Sequence, residues 1–365
     1  MNLKFTNTVS QRKEMPLPTE KSFNSDMIQW GDNNAFPDYI WELYSNSSIF
    51  SSIIQTIRDY VMGDGLITEI DLEKFVNRKF ETLEDLLLKV VVDYLLYDGF
   101  AIQVIRNRNN EVAELNHVDI RKCRINEEED TVFYGNFGAY SRKNKLISYP
   151  RFTPNTIHNN SIFFYKGTNT RTHYPIPSYY SCLKALEIST LISEYNLNTL
   201  NYGFTPSCIV NMNNGVVSNE EMQEIQEKFE EKFFGVNGSK LVLSFNNDSE
   251  HQTTIERMPS ENDSEKYMQL LETTREEIFS CMRINPILVG INNSNSGFTK
   301  QEFSEAYLLF QRTVIQPIQK KLERVLQTLF NTEFTFKPFK IQWEETEQPT
   351  QEQEENKLIN IGDNI

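Results

Sequence analysis

Arg283-Ile284-Asn285-Pro286-Ile287-Leu288-Val289-Gly290 is the stretch on which the fold turns. It leads into a polar loop, residues 291–297, and stands between two helical patterns. Upstream a helix is predicted over residues 263–282. Downstream Thr299 caps a long helix, with Glu302 closing the capping box. Phe303, Tyr307, Phe310, Val314, Ile318, Leu322, Val325 and Leu329 give that helix an apolar stripe about 48 Å long. Pro317 lies within the stripe. It deletes one backbone hydrogen bond and crowds the preceding turn, so a kink is predicted there.

Residues 178–202 contain neither Pro nor Gly, and a continuous helix from Pro177 onward would run about 38 Å. Leu183, Leu186, Ile188, Leu191, Ile192, Tyr195, Leu197 and Leu200 spread over nearly its whole circumference. A helix apolar on every side needs cover on every side. The cover comes either from the centre of one subunit or from neighbouring subunits. Between the two helices the pattern gives a strand at 208–212, a turn at Asn213-Asn214-Gly215 and a helix opened by Ser218 and Glu221. The stripe of that helix is Met222, Ile225, Phe229 and Phe233, set against a charged face. Strands at 240–245 and 253–258 follow.

The first half is of α+β type. Residues 1–35 are an irregular arm, and helices are predicted from Pro37, over 48–62 up to Gly63-Asp64-Gly65, and from a Thr82/Asp85 capping pair to Asp98-Gly99. Residues 100–106, 111–117, 131–137 and 162–165 have the pattern of an antiparallel sheet.

The 365 residues allow two or three compact units, and 39% hydrophobic content is modest for an enzyme. A net charge of -15 argues against a protein that grips nucleic acid, which needs cationic surface to displace counterions. Passing DNA without holding it is compatible with acidity. No apolar run is long enough to cross a membrane, and the N-terminus lacks a signal-peptide core, so a cytoplasmic product is expected. The cysteines, Cys123, Cys182, Cys208 and Cys281, form no CxxC pair and are expected to be reduced, mostly buried thiols. His117, His158, His173 and His251 have no ligand spacing, so neither metal nor cofactor is expected. No GxxxxGK[ST] motif is present, nor any nucleophile elbow, and no catalytic residues are assigned.

Three local patterns resemble the phage portal protein family, in its compact branch from long-tailed phages and prophages. The first is Leu200-Asn201-Tyr202-Gly203-Phe204-Thr205-Pro206 before an apolar strand, although Gly203 lacks the usual preceding Asn. The second is the charged helix ending at Phe234-Gly235, where Phe directly precedes Gly. The third and most specific runs from Glu276-Glu277-Ile278 through Pro286-Ile287-Leu288-Val289-Gly290 to a polar loop and a long helix. Trp30-Gly31 and Asn34-Ala35-Phe36-Pro37 add a smaller likeness.

The resemblance implies an α+β portal fold. Residues 1–176 with 299–330 would form the wing, the latter a long helix kinked at Pro317. Residues 177–205 and 260–284 would be stem helices, 206–259 a small α/β clip, 285–298 the tunnel loop and 331–365 a short crown region. Pro286 and Gly290 would be the loop hinges, and Asn292, Asn293, Ser294, Asn295, Ser296 and Gly297 would face DNA. On the clip, Met222, Glu224, Lys228, Phe229 and Lys232 are the candidate contacts. The implied protein is a virion subunit, assembled in the host bacterial cytoplasm into a twelve-membered ring at one capsid vertex. It would serve DNA packaging and ejection. Its implied partners are further copies of itself, the large terminase subunit, a head–tail adaptor, the major capsid and scaffolding proteins, and double-stranded DNA in non-specific passage.

An uncharged loop can touch a phosphate backbone without ion pairs that would stall it, although an ordinary solvated connection between helices has the same composition. Two other function classes remain open on sequence. A minor head or adaptor protein would explain the acidity but not the Pro286 loop between long helices. A cytoplasmic enzyme would need a pocket with convergent polar groups.

Overall fold

A computed structural model describes residues 17–23, 27–137, 146–154, 158–168, 173–202, 208–212, 241–245, 255–257, 263–291 and 299–339. Within the expected irregular arm, β1 (Ser22–Phe23) and β2 (Met27–Ile28) form a short antiparallel pair. Helix α1 (Phe36–Asn46) has Pro37 in its first turn, and α2 (Ser48–Met62) starts at the cap Ser47. Gly63 ends α2 at φ +57, with the Lys337 carbonyl packed where a side chain would project, so only glycine fits there. The capping pair at α3 (Leu83–Tyr97) is reciprocal. Thr82 Oγ1 accepts from the Asp85 N–H at 3.2 Å, and the Asp85 carboxylate accepts from the Thr82 N–H at 2.9 Å.

Strand β3 (Leu66–Ile67) follows α2. The main sheet is antiparallel, in the order β5 (Val112–Val118), β4 (Gly99–Arg106), β9 (Asn160–Lys166). A second three-stranded sheet comprises β6 (Cys123–Ile125), β7 (Thr131–Tyr134) and β8 (Ile147–Pro150). The strand expected at 131–137 thus ends at Tyr134, and it pairs with β8 in this second sheet rather than joining the main one. Helix α3 packs on β4. Phe50, Ile53, Ile54, Leu86, Val91, Leu96 and Ala101 have no exposed surface, and they belong to one continuous core.

Arg124 is buried in that core, and among the described residues no carboxylate forms an ion pair with it. Its Nε donates to Asn34 Oδ1 at 2.7 Å and its Nη2 to the Asn34 carbonyl at 3.1 Å. Its Nη1 donates to the Arg121 and Cys123 carbonyls at 2.8 and 2.7 Å. The guanidinium also lies 5.8 Å from the Trp30 ring centroid and 4.4 Å from that of Phe137. Trp30 in turn stacks on Tyr174 at 4.7 Å. The Trp30 and Asn34 motifs are therefore one packing unit.

After a 3-10 turn, Tyr180–Cys182, comes α4 (Leu183–Tyr202). The helix predicted from Pro177 begins at Leu183, after the ring of Tyr179 has been anchored by its hydroxyl to the Leu96 carbonyl at 2.7 Å. Strand β10 (Cys208–Met212) pairs in parallel with β11 (Leu241–Phe245) and antiparallel with β12 (Ile255–Arg257). Helix α5 (Asp263–Cys281) returns alongside α4. The last helices are α6 (Lys300–Phe310) and α7 (Gln316–Phe330), and β13 (Thr335–Phe336) pairs with β3. Pro338, which lacks an N–H, stands two residues beyond β13 and cannot donate to its ladder.

Candidate functional site

The flanks of the loop at 292–298 are fixed by local chemistry. Helix α5 ends in a Schellman turn, in which the Ile284 N–H donates to the Phe279 carbonyl at 3.2 Å and the Arg283 N–H to the Ser280 carbonyl at 3.1 Å. Arg283 occupies the left-handed position at φ +55 that glycine usually fills. Asn285 caps the next 3-10 turn, Pro286–Val289, through its Oδ1, which accepts from the Ile287 N–H at 3.1 Å. Pro286 occupies the first position, where an N–H would have no intrahelical partner. Gly290 closes the turn at φ +79 with open space around it, so its conformation rather than crowding calls for glycine. Beyond the loop, Thr299 and Glu302 form the predicted capping box, with N–H to oxygen distances of 2.9 and 3.2 Å.

Tyr60 of α2 joins both flanks. Its hydroxyl donates to the Leu288 carbonyl at 3.2 Å, and its ring meets Tyr307, Phe310 and Phe339 at 5.7, 5.9 and 5.8 Å. The Tyr307 hydroxyl donates to the Phe339 carbonyl at 2.8 Å. Burial raises the pKa of both phenols, so both stay protonated donors. Sequence reading missed Tyr60 because it lies beside the stripe of Ile49, Ile53, Ile57 and Val61, and its partners come from far along the chain.

Pro317 sits in the first turn of α7, and the residues before it, Gln311–Ile315, form a π-helical turn. A wider turn is one recognised way to accommodate a missing N–H and a bulky ring. The Thr313 hydroxyl of this turn donates back to the Leu309 carbonyl of α6 at 2.8 Å, and Gln319 Nε2 holds α7 to the Val61 carbonyl at 2.8 Å.

Helices α4 and α5 run antiparallel: the 3-10 turn before α4 packs against α5 at one end, and Tyr195 stacks on Tyr267 at 4.7 Å near the other. Burial changes sharply along the pair. At its base Leu186 and Ile278 are 1% and 0% exposed, whereas Leu197 and Met268 are 58% and 60% exposed. Leu191, Tyr195 and Leu270 are exposed as well. Among its described side chains, the predicted all-round apolar helix is fully covered only toward its start.

Of the predicted site residues, Pro286, Gly290 and Pro317 take the positions given above. Asn292, Asn293, Ser294, Asn295, Ser296 and Gly297 lie outside the described residues, as do Met222, Glu224, Lys228, Phe229 and Lys232. Two histidines bind carboxylates: His117 Nε2 lies 2.7 Å from Asp93 Oδ2, and His173 Nδ1 lies 3.2 Å from Glu20 Oε2. Burial raises the Asp93 pKa. Among the described residues no group of three or more His, Cys, Asp or Glu is placed to hold a metal ion. No described helix is long and apolar enough to cross a membrane.

The chain is thus an α+β body bearing an antiparallel helix pair with apolar side chains bare on that pair, the kind of surface that marks an interaction site. The family model for phage portal proteins matches residues 73–355, and the chain belongs to that family. Its fold is similar to a chain in the neck of a native gene transfer agent particle computed with C12 symmetry, at TM-score 0.54 and 15% identity over 89% of each chain. A chain in the virion of a native gene transfer agent particle gives TM-score 0.53 and 16% identity, again over 89% of each. An uncharacterized protein of Rickettsia bellii (strain RML369-C) is 28% identical over 173 residues, 46% of this chain. The match spans less than half of that relative's length, 43%.

Proposed function

We propose that the chain is one subunit of a closed ring at a capsid vertex of a virion, and that viral DNA enters and leaves through the ring. The observation that carries this reading is the uncovered apolar surface of α4 and α5: Leu191, Leu197, Met268 and Leu270 are exposed in one copy, and a ring supplies a neighbour to every subunit. Twelve copies are proposed, by extension from the gene transfer agent neck computed with C12 symmetry.

In this reading α4 and α5 are the stem, residues 206–259 the clip, residues 285–298 the tunnel loop between the hinges Pro286 and Gly290, and residues 331–365 a short crown. The clip would meet the large terminase subunit during packaging and a head–tail adaptor afterwards. Major capsid and scaffolding proteins would surround the wing. A net charge of -15 per chain, repeated round a ring, repels DNA and keeps its passage free of sticking. The role is structural, and no catalysis is assigned.

Mass measurement and imaging of the purified protein test the ring. A closed ring with a central hole is expected, and a monodisperse monomer at high concentration would sink the reading. Lysines in place of Asn293 and Asn295 should slow packaging or ejection. Unchanged rates would argue against a loop that faces DNA.

A further inference from the structure

The net charge of -15 is not spread evenly along the chain. Residues 311–330, the π-helical turn and α7, hold four cations, Arg312, Lys320, Lys321 and Arg324, and a single acid, Glu323. Glu323 is turned toward β13, where its Oε1 accepts from the Phe336 N–H at 3.0 Å. Lys321 donates to the Tyr94 hydroxyl at 2.8 Å. Arg312, Lys320 and Arg324 are exposed, and among the described residues none of the three forms an ion pair. Lys320 and Arg324 stand one turn apart on the solvent face of α7, opposite the buried Leu322, Val325 and Leu329. Leu308 and Leu309, at the end of α6, are 55% and 66% exposed.

We propose that this cationic face is the docking surface for the acidic tail of the same chain, residues 340–355, which lies outside the described residues. Phe339, the last described residue, is fixed where the face begins. Its carbonyl accepts from the Tyr307 hydroxyl at 2.8 Å, and its ring lies 5.8 Å from that of Tyr60. Tyr307 precedes Arg312 by about 7.5 Å of helix. The order of residues in the tail then matches the order of the surface. Ile341 and Trp343 come first and suit Leu308 and Leu309. Glu344, Glu345, Glu347, Glu352, Glu354 and Glu355 follow and suit the three bare cations. Fully extended, the stretch from Phe339 to Glu355 spans ~50 Å, against ~25 Å of helix from Tyr307 to Arg324, so its length reaches every cation. One surface ion pair is weak, but a tether holds several carboxylates beside the face at high effective concentration. Duplex DNA would compete for the same cations. A seated tail keeps DNA from sticking there, a consequence that rests on the proposed channel, whereas the docking itself lies within one chain and does not depend on the ring.

The test treats the full-length protein at low salt with a water-soluble carbodiimide, which joins an amine to a carboxylate in direct contact. Covalent monomers and dimers are separated on a denaturing gel, and peptides from each are mapped by mass spectrometry. The expected product joins Lys320 to a tail glutamate in the monomer band. It should disappear in 1 M salt, where screening acts within about 3 Å. A second arm measures binding of a short DNA duplex at low salt. Glu344→Gln, with the same change at the other five tail glutamates, should tighten it at least tenfold. Adding Lys320→Gln and Arg324→Gln should restore the wild-type value. If the glutamine tail prevents folding, the wild-type crosslink map still decides. A tail–Lys320 product that is absent or confined to the dimer band would overturn the proposal. So would DNA binding that the glutamine tail leaves unchanged, or that tightens regardless of Lys320 and Arg324. Rings without the crosslink would sink this contact and leave the channel reading standing, and crosslinked monomers would do the reverse.

Discussion

In the body, α2, α3 and β4 bring Phe50, Ile53, Ile54, Leu86, Val91 and Ala101 to zero exposure, and even the guanidinium of Arg124 is buried with its N–H groups directed at oxygens. In the far half of the α4–α5 pair the same kinds of side chain stand bare: Leu191, Leu197, Met268 and Leu270. The body closes a continuous core, although Ile67, Phe75 and Phe80 on its surface are exposed too, whereas the helix pair is buried only at its base. A row of bare apolar side chains along two neighbouring helices is the kind of surface that marks an interaction site.

The largest effect is expected where that surface is attacked directly. Aspartates at Leu191 and Leu197 should abolish the ring in mass measurements while moving the urea unfolding free energy of the subunit by less than about 0.5 kcal/mol, because both side chains are already solvated in a single copy. Ile54→Ala should behave in the opposite way. It leaves a cavity in a closed core and should cost about 2–5 kcal/mol of subunit stability, while whatever folds still assembles. If the aspartates unfold the subunit, α4 is part of the body and the contrast between the regions fails.

Arg124→Met sharpens the account of the body. The thioether can fill much of the volume, but the Asn34, Arg121 and Cys123 carbonyls lose their donor. A loss of roughly 3 kcal/mol is expected by urea unfolding. A neutral result would mean that packing against Trp30 and Phe137 outweighs the hydrogen bonds.

The two regions also differ in how legible they were. Helix α2 was readable to the residue because its period, its start and the glycine stop agree. The two capping boxes were readable because Thr82/Asp85 and Thr299/Glu302 are local in sequence. The short turn from Pro286 to Gly290 was readable for the same reason, since a proline start and a glycine stop act within one turn. Tyr60 and Arg124 were not, because their partners lie far off in sequence: Leu288 for one, Asn34 for the other. The incomplete covering of α4 was half legible. The apolar circumference showed that cover was needed, but only the packing of α5 shows where it stops.

Tyr60→Phe tests the junction between the body and the loop flank. It keeps the ring contacts with Tyr307, Phe310 and Phe339 and removes one hydrogen bond to the Leu288 carbonyl. A loss of about 1 kcal/mol is expected. Faster amide exchange should appear around residues 286–291 and not in α3. Uniform exchange changes would show that Tyr60 supports the whole core rather than the turn before the loop.

The smallest effect concerns the tie between the two sheets of the body. Glu129 lies in the turn before β7 and meets Arg151 Nη1 at 2.7 Å and Lys166 Nζ of β9 at 2.5 Å. Burial pushes its carboxyl pKa up, but hydrogen bonds and charge from Lys166 and Arg151 outweigh burial and leave it below the ordinary value of 4.5. A group whose pKa is depressed on folding binds protons more readily in the unfolded chain. Its stabilisation is therefore complete above about pH 4.5 and is lost as pH falls through the lower folded value. Glu129→Gln should cost about 1 kcal/mol or less at pH 7, and it should flatten this part of the acid limb of stability measured by urea unfolding at stepped pH. Because the tie lies wholly within the body, the assembly of α4 and α5 should not change above pH 5. A ring that dissociates in Glu129→Gln at neutral pH would show that the body and the helix pair are coupled.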